Sequence, residues 1–300
     1  MKYAFWPGCV SKGATPELYT SMVRVARELG IELVELEDAT CTGAGVIQEH
    51  NTKLADVLNA RTFAMAQRLG LPLMNICSTC QGVESMVADK LERNPEYRDE
   101  INRTLAEEGL RYDGGLEIKN FLWVLVEDFG LERLKGMIKR PLSGLRIGPF
   151  YGCYILRPSS ILGMKEHPQR DRYLELVIEA VGAEVVTYEG EKKCCGFPIL
   201  TINRDNSLKQ AGGHIAEAKE LGADALVTPC PLCHLNLDGQ QPAAAGVVHR
   251  ELDVPIIHLP QLIGLALGID PRELELNRHV IGTKRMLDKL LASQAAFARV

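Results

Sequence analysis

The feature that most constrains this chain is a cysteine pattern that occurs twice. Cys9 is followed after 31 residues by Cys41-Thr42-Gly43 and then by the CxxC pair Cys77 and Cys80. Cys153 is followed after 40 residues by Cys194-Cys195-Gly196 and then by the CxxC pair Cys230 and Cys233. These nine are all the cysteines of the 300-residue chain, so no thiol falls outside the two sets. Matching cysteines are 144 residues apart at the first position and 153 at the later ones, which implies nine extra residues in the second copy, placed within Arg157 to Arg170. A shared order of cysteines and elements implies an internal duplication.

The hydrophobic pattern around the cysteines repeats as well. Residues 2–6 form a short β-type run before Pro7-Gly8-Cys9, and Thr15-Pro16 opens a helix whose Leu18, Met22, Val25 and Leu29 recur at helical spacing. Ile31 to Leu36 alternates like a strand, Leu54 to Leu69 reads as a helix, and Leu71 to Ile76 is a strand running into Cys77, with a helix expected from Ser78 to Leu91. In the second copy the strands fall at Leu145–Tyr151, Ala183–Tyr188 and Ala225–Thr228, with helices over Tyr173–Val181 and His214–Leu221. Each cysteine then lies past the end of a strand. In open α/β sheets that edge is where ligands bind, so distant thiols can be brought to one place.

The fold class expected is therefore α/β: two duplicated Rossmann-like units with parallel sheets, related by a pseudo-two-fold axis, plus C-terminal helices. The units divide at Pro141 into residues 1–144, including a charged helical linker with helices at Phe121–Phe129 and Leu131–Ile138, and residues 145–300. C-terminal helices are expected at Leu259–Leu267 and Val280–Phe297, the latter burying Leu287, Leu290, Leu291 and Ala295 on one face.

Several functions are excluded. A net charge of −5 with scattered Lys and Arg offers no concentrated basic face for nucleic acid. The longest apolar tract, Val254 to Ile269, is broken by His258, Pro260 and Gln261, and no N-terminal signal is visible, so the chain reads as cytoplasmic without a membrane span. In that compartment clustered thiols mean metal or redox chemistry more often than disulfides. No glycine-rich dinucleotide fingerprint follows a strand, which argues against a bound NAD or flavin.

Structural zinc needs four ligands and would explain a CxxC pair alone. Five thiols, two of them adjacent, exceed that need, because neighbouring residues can hold different irons of a cluster. Iron–sulfur ligation is thus favoured for Cys153, Cys194, Cys195, Cys230 and Cys233, ahead of zinc and of a thioredoxin-like dithiol.

The pattern Cys, Cys-Cys-Gly, CxxC, present twice between Tyr3 and about Leu265, resembles the CCG domain of the heterodisulfide reductase B subunit and its relatives. The resemblance implies a noncubane [4Fe-4S] cluster held by the five C-terminal cysteines. It implies a second iron–sulfur cluster, of a type left open, at Cys9, Cys41, Cys77 and Cys80, where Thr42 replaces the fifth cysteine. The Cys-Thr-Gly form is similar to B subunits of heterodisulfide reductase-like complexes of sulfur-oxidising bacteria. That similarity implies an oxidoreductase acting on a disulfide or protein-bound sulfur near Cys195 and Thr42, in a cavity between the halves. Its expected partners are a ferredoxin-type C subunit and a flavin-containing A subunit. An electron-transfer CCG subunit of a succinate or glycolate dehydrogenase is the alternative, and a zinc-stabilised binding protein the third reading.

Around the sites, Ser78 and Thr79 are expected to donate hydrogen bonds to cluster sulfurs. Gly43 and Gly196 are expected to make turns that a Cβ would block. Pro198, Pro229 and Pro231 are expected to rigidify the second site. His50 and His234 read as polar residues, with a proton-donor role as the sharper alternative.

Overall fold

A computed structural model describes residues 1–297. It contains two four-stranded, all-parallel sheets. The first runs β2 (Glu32–Glu35), β1 (Lys2–Trp6), β3 (Leu73–Asn75), β4 (Ile118–Asn120). The second runs β6 (Glu184–Val185), β5 (Arg146–Pro149), β7 (Ala225–Thr228), β8 (Ile256–His258). The two have the same strand order, as a duplicated α/β chain requires. The inner strands β3 and β7 are wholly buried, which is why Leu73-Met74-Asn75 and Ala225–Thr228 are nearly continuous apolar runs rather than alternating ones.

The helices of the first copy lie close to their expected positions: Pro16–Leu29, Thr52–Arg68 and Ser78–Arg93. Pro16–Leu29 buries Leu18, Met22, Val25 and Leu29, the stripe read from the sequence. In the second copy Arg204–Glu220 and Tyr173–Ala180 take the corresponding roles. The chain between Tyr154 and Gln169 is a succession of turns without a helix or strand, and it is there that the second copy carries its extra length.

Four expectations need correction. β4 and β8 are strands where the sequence pattern indicates none, since each has only three residues. The run Ala183–Tyr188 pairs only over Glu184–Val185 before turning towards Cys194. Leu145–Tyr151 pairs only to Pro149. The last helix begins at Lys284, and it buries Met286 and Leu290 while Leu291 is 60% exposed and Ala295 is exposed, so its core face lies partly round from the expected one.

The halves share one core. The Pro16–Leu29 helix of the first copy packs on the Leu259–Ala266 helix of the second, and the Tyr173–Ala180 helix packs in turn on the helical segment 121–129. At this second seam Arg170 stacks on Trp123, 3.7 Å from the ring centroid, and binds Glu127 through Nε and Nη2 at 2.7 and 3.0 Å. Both charged side chains are less than a tenth exposed. Removing Arg170 leaves the buried Glu127 with Lys119, 3.3 Å away, as its remaining lysine partner. Arg170→Met is expected to lower stability by about 3 kcal/mol in chemical denaturation, whereas Arg250→Met, which breaks an exposed pair with Glu220, should change it little.

Candidate functional site

The C-terminal thiols come from the carboxyl ends of β5 and β7 and from the turn after β6. They lie close enough to shift one another: Cys153 is raised by Cys194, Cys194 is drawn down by Cys153 and Cys195, and Cys233 is raised by Cys195 and Cys230. Gly152 makes the approach possible, since at φ +71° a Cβ there would lie 2.7 Å from the Cys233 sulfur. Gly8 also faces the Cys80 sulfur in the first copy, but a Cβ there would stand at 3.7 Å, an ordinary contact, so it is the φ of +82° that calls for glycine. The turn at Gly196 (φ +89°) aims the backbone N–H groups of Gly196 and Phe197 at the sulfurs of Cys194 and Cys195, both at 3.4 Å, and Gly43 (φ +76°) donates to Cys41 at the same distance. Amide donors on sulfur stabilise thiolate and tune the potential of a bound centre.

In the N-terminal set, the sulfurs of Cys9 and Cys41 lie 3.4 Å apart and both residues are exposed, while Cys77 and Cys80 are buried. The hydrogen bond from Cys9 draws the Cys41 thiol down to about 6 and raises Cys9 in return. Cys194, the counterpart of Cys41, is likewise drawn down, first by Cys153 and then by Cys195. Thr42 is buried and its hydroxyl sits 3.6 Å from the Cys80 sulfur, the place where Cys195 meets Cys233 in the other copy. Its carbonyl is held by Asn59 Nδ2 at 2.9 Å.

The two sets adjoin. Cys77 is raised, first by Cys230 and then by Cys80, so thiols of the two sets lie near one another. Thr79 Oγ1 lies 3.4 Å from the Cys230 sulfur, so its hydroxyl serves the opposite set. Ser78 departs from expectation: its N–H and its hydroxyl both donate to the Pro229 carbonyl, at 3.1 and 3.2 Å, and clamp the two CxxC turns together. Cys77 caps the N-terminus of the Ser78–Arg93 helix, with Cys80 N–H 3.5 Å from its sulfur, where the helix dipole favours negative charge.

A cavity of about 560 Å³ opens over the C-terminal thiols. All five of these cysteines line it, together with Thr79 from the first copy, and none of Cys9, Cys41, Cys77 and Cys80 does. The walls are mainly apolar, with Tyr154, Phe197 and Ile199 among them, and the mouth carries Glu49 and His50. Val46 and Ile202 at the rim are 73% and 82% exposed. His50 thus stands at the opening. His234 does not line the cavity; it is buried among His258, His279 and Glu17. The rim segment 199–202 and Tyr154 were missed from the sequence, which gives no periodic or motif signal there.

All nine thiols are free. Sulfur-only donor sets, partly buried and met by backbone N–H groups, fit an iron–sulfur centre better than a hard cation. Residues 3–83 and 147–238 match the cysteine-rich domain family CCG, and the chain belongs to that family. It is 38% identical over 285 residues, covering 95% of this chain and 99% of the relative, to the 8-methylmenaquinol:fumarate reductase membrane anchor subunit of Wolinella succinogenes. It is 32% identical to a protein of Archaeoglobus profundus described as like the heterodisulfide reductase B subunit, covering 91% and 93%. It is 29% identical to the B subunit of the ferredoxin/F420H2-dependent CoB-CoM heterodisulfide reductase of Methanosarcina acetivorans, covering 96% and 97%. The resemblance drawn from the cysteine spacing is borne out. A crystal structure of a hypothetical protein from Helicobacter pylori shares the fold, with a TM-score of 0.75 at 17% identity over 94% of this chain and 52% of that one. Among the described residues no helix is long and apolar enough to cross a membrane.

Cys195→Ala, prepared anaerobically, is expected to lose the iron and acid-labile sulfide of the C-terminal set while keeping the electron paramagnetic resonance signal of the N-terminal one. Unchanged iron and an unchanged spectrum would remove Cys195 from the ligands.

Proposed function

We propose that this chain is an iron–sulfur electron-transfer subunit of a multi-subunit oxidoreductase, carrying current between its surface and a small oxidisable or reducible compound in the cavity. The ligands are Cys153, Cys194, Cys195, Cys230 and Cys233 for a noncubane-type centre, and Cys9, Cys41, Cys77 and Cys80 for a second one. Such centres supply one-electron storage at potentials set by charge, hydrogen bonds and exposure.

The observation that carries this reading is the continuity of the thiols. Cys9 and Cys41 reach the surface, Cys77 lies near Cys230 at the seam, and Cys153 and Cys195 open on the cavity. A partner subunit of ferredoxin or flavoprotein type would dock over the exposed pair. The apolar cavity walls exclude water from the second site, and Glu49 and His50 at the mouth are exposed polar groups that an entering compound would pass. Thr79 places a hydroxyl donor on Cys230.

Symmetric attack on a disulfide from two centres would need both sets to face the cavity, and only one does. The 38% identical relative, covered over 99% of its length, is named for a methylmenaquinol:fumarate reductase. That name and the apolar lining support a quinol-like ring as the cavity compound. The second reading is sulfur chemistry at the C-terminal centre alone, supported by the relatives named for the heterodisulfide reductase B subunit.

Rapid mixing of the anaerobically reduced protein with a water-soluble naphthoquinone, and separately with a small disulfide, separates the two. Reoxidation by the quinone is expected to slow at least about tenfold in Thr201→Trp, which narrows the cavity mouth, a barrier increase of about 1.4 kcal/mol. Reduction by a viologen dye should be unaffected. Turnover of the disulfide with the same sensitivity would establish the second reading, and reoxidation indifferent to Thr201→Trp with both acceptors would overturn the cavity as the exchange site.

A further inference from the structure

Behind the Cys230–Cys233 turn, away from the cavity, three histidines and a glutamate from both halves converge. His234 follows Cys233, His258 ends β8, His279 lies beyond the Leu259–Ala266 helix, and Glu17 stands in the first turn of Pro16–Leu29. All four residues are less than a tenth exposed. His234 Nε2 is 2.8 Å from His279 Nδ1, His258 Nε2 is 3.3 Å from Glu17 Oε1, and the rings of His234 and His258 stack with centroids 4.0 Å apart. One ligand atom each from Glu17, His234 and His279 falls within 4.8 Å of the other two.

The tautomer of His279 can be deduced. Gln261 Oε1 accepts the His258 backbone N–H at 2.9 Å, and its Nε2 donates to the Leu274 carbonyl at 2.9 Å, so the orientation of the amide is fixed. The same Oε1 lies 2.9 Å from His279 Nε2, which must therefore carry the hydrogen. The Nδ1 lone pair of His279 then points inward, where it accepts from His234 Nε2 at 2.8 Å, a bond that a metal ion held by both rings would replace. A histidine whose outer N–H is pinned by an amide or carbonyl oxygen while its inner nitrogen is unprotonated is the arrangement that metal-ligating imidazoles adopt. The remaining ring nitrogens, Nδ1 of His234 and of His258, are buried and have no partner.

The pseudo-equivalent seam shows what the cluster lacks. There the buried carboxylate, Glu127, is answered by the buried guanidinium of Arg170. Here Glu17 meets imidazoles, and the cation near it, Arg278, is half exposed and 3.5 Å from the outer oxygen. Asp238, 4.0 Å from His234 Nε2, is occupied by the backbone N–H groups of Val280 and Ile281 at 2.7 and 3.1 Å.

The geometry points to a buried divalent transition-metal site, of zinc type, formed by Glu17, His234 and His279, with His258 stacked on His234 and hydrogen-bonded to Glu17 beside it. Nitrogen and carboxylate donors of this kind suit zinc. Tetrahedral ligands at that metal's bond lengths stand about 3.3 Å apart, so His234 and His279 need to open by about half an ångström. The ion would staple the first copy to the second through Glu17 and fix the turn that carries Cys230 and Cys233. This site is independent of the iron–sulfur reading, because it uses no cysteine.

The test is zinc X-ray absorption on the anaerobically purified wild-type protein, with metal analysis of Glu17→Gln and His279→Gln. The expected result is one zinc per chain with a first shell of nitrogen and oxygen at about 2.0 Å and no sulfur at about 2.3 Å. Each variant should lose at least about nine-tenths of the zinc while retaining its iron. Cobalt(II) grown in as a probe should give ligand-field bands without thiolate charge transfer. Absence of zinc and of cobalt uptake in the wild type, a sulfur-only first shell, or full zinc retention in both variants would overturn the site. The wild-type spectrum decides the matter even if a variant does not fold.

Discussion

The structure depends on the join of the two CxxC turns at the seam of the halves, where Thr79 Oγ1 lies 3.4 Å from the Cys230 sulfur and two thiol sets on different sheets adjoin. Parallel sheets put the ends of their strands on one edge, and the two edges are turned towards each other. The CxxC turn that follows β3 and the one that follows β7 therefore face across the seam, tied by Ser78 to the Pro229 carbonyl. A soft, sulfur-lined region is assembled by tertiary folding from six separate segments. Neither half builds that region alone, because Thr79 serves Cys230 and the cavity walls come from both copies.

Duplication supplied two equivalent sites, and divergence made them unequal. At the first, Thr42 stands where Cys195 stands at the second, and Cys9 and Cys41 are open to solvent. At the second, five thiols surround the floor of a cavity. On the proposed reading, the asymmetry gives a direction to the arrangement, one end for a protein partner and the other for a small compound. The seams diverged too: one is closed by the buried Arg170–Glu127 pair, the other by the cluster of Glu17 and three histidines.

Much of this was legible in the sequence, for identifiable physical reasons. Cysteine spacing is a direct record of which strand ends meet, and helical periodicity at Leu18, Met22, Val25 and Leu29 survives because that face packs on the other half. Three-residue strands such as β4 and β8 leave too few residues for a period-two pattern, so they escaped notice. Leu291 was misplaced because a leucine stripe does not say how far round a terminal helix its neighbours reach. Ser78 illustrates the limit of local reasoning. Its position inside a CxxC pair suggested a sulfur partner, whereas its partner is the Pro229 carbonyl of the other copy, 151 residues away in sequence. The meeting of Glu17 with His258, across 241 residues, had no sequence signal at all.

The central claim, that two thiol-held centres lie side by side across the seam, is tested most directly by electron paramagnetic resonance of the fully reduced wild-type protein. The account predicts a spectrum broadened or split by magnetic interaction between two nearby paramagnets. It would therefore differ from the sum of the spectra of two variants that each retain one centre. A wild-type spectrum equal to that sum would contradict it.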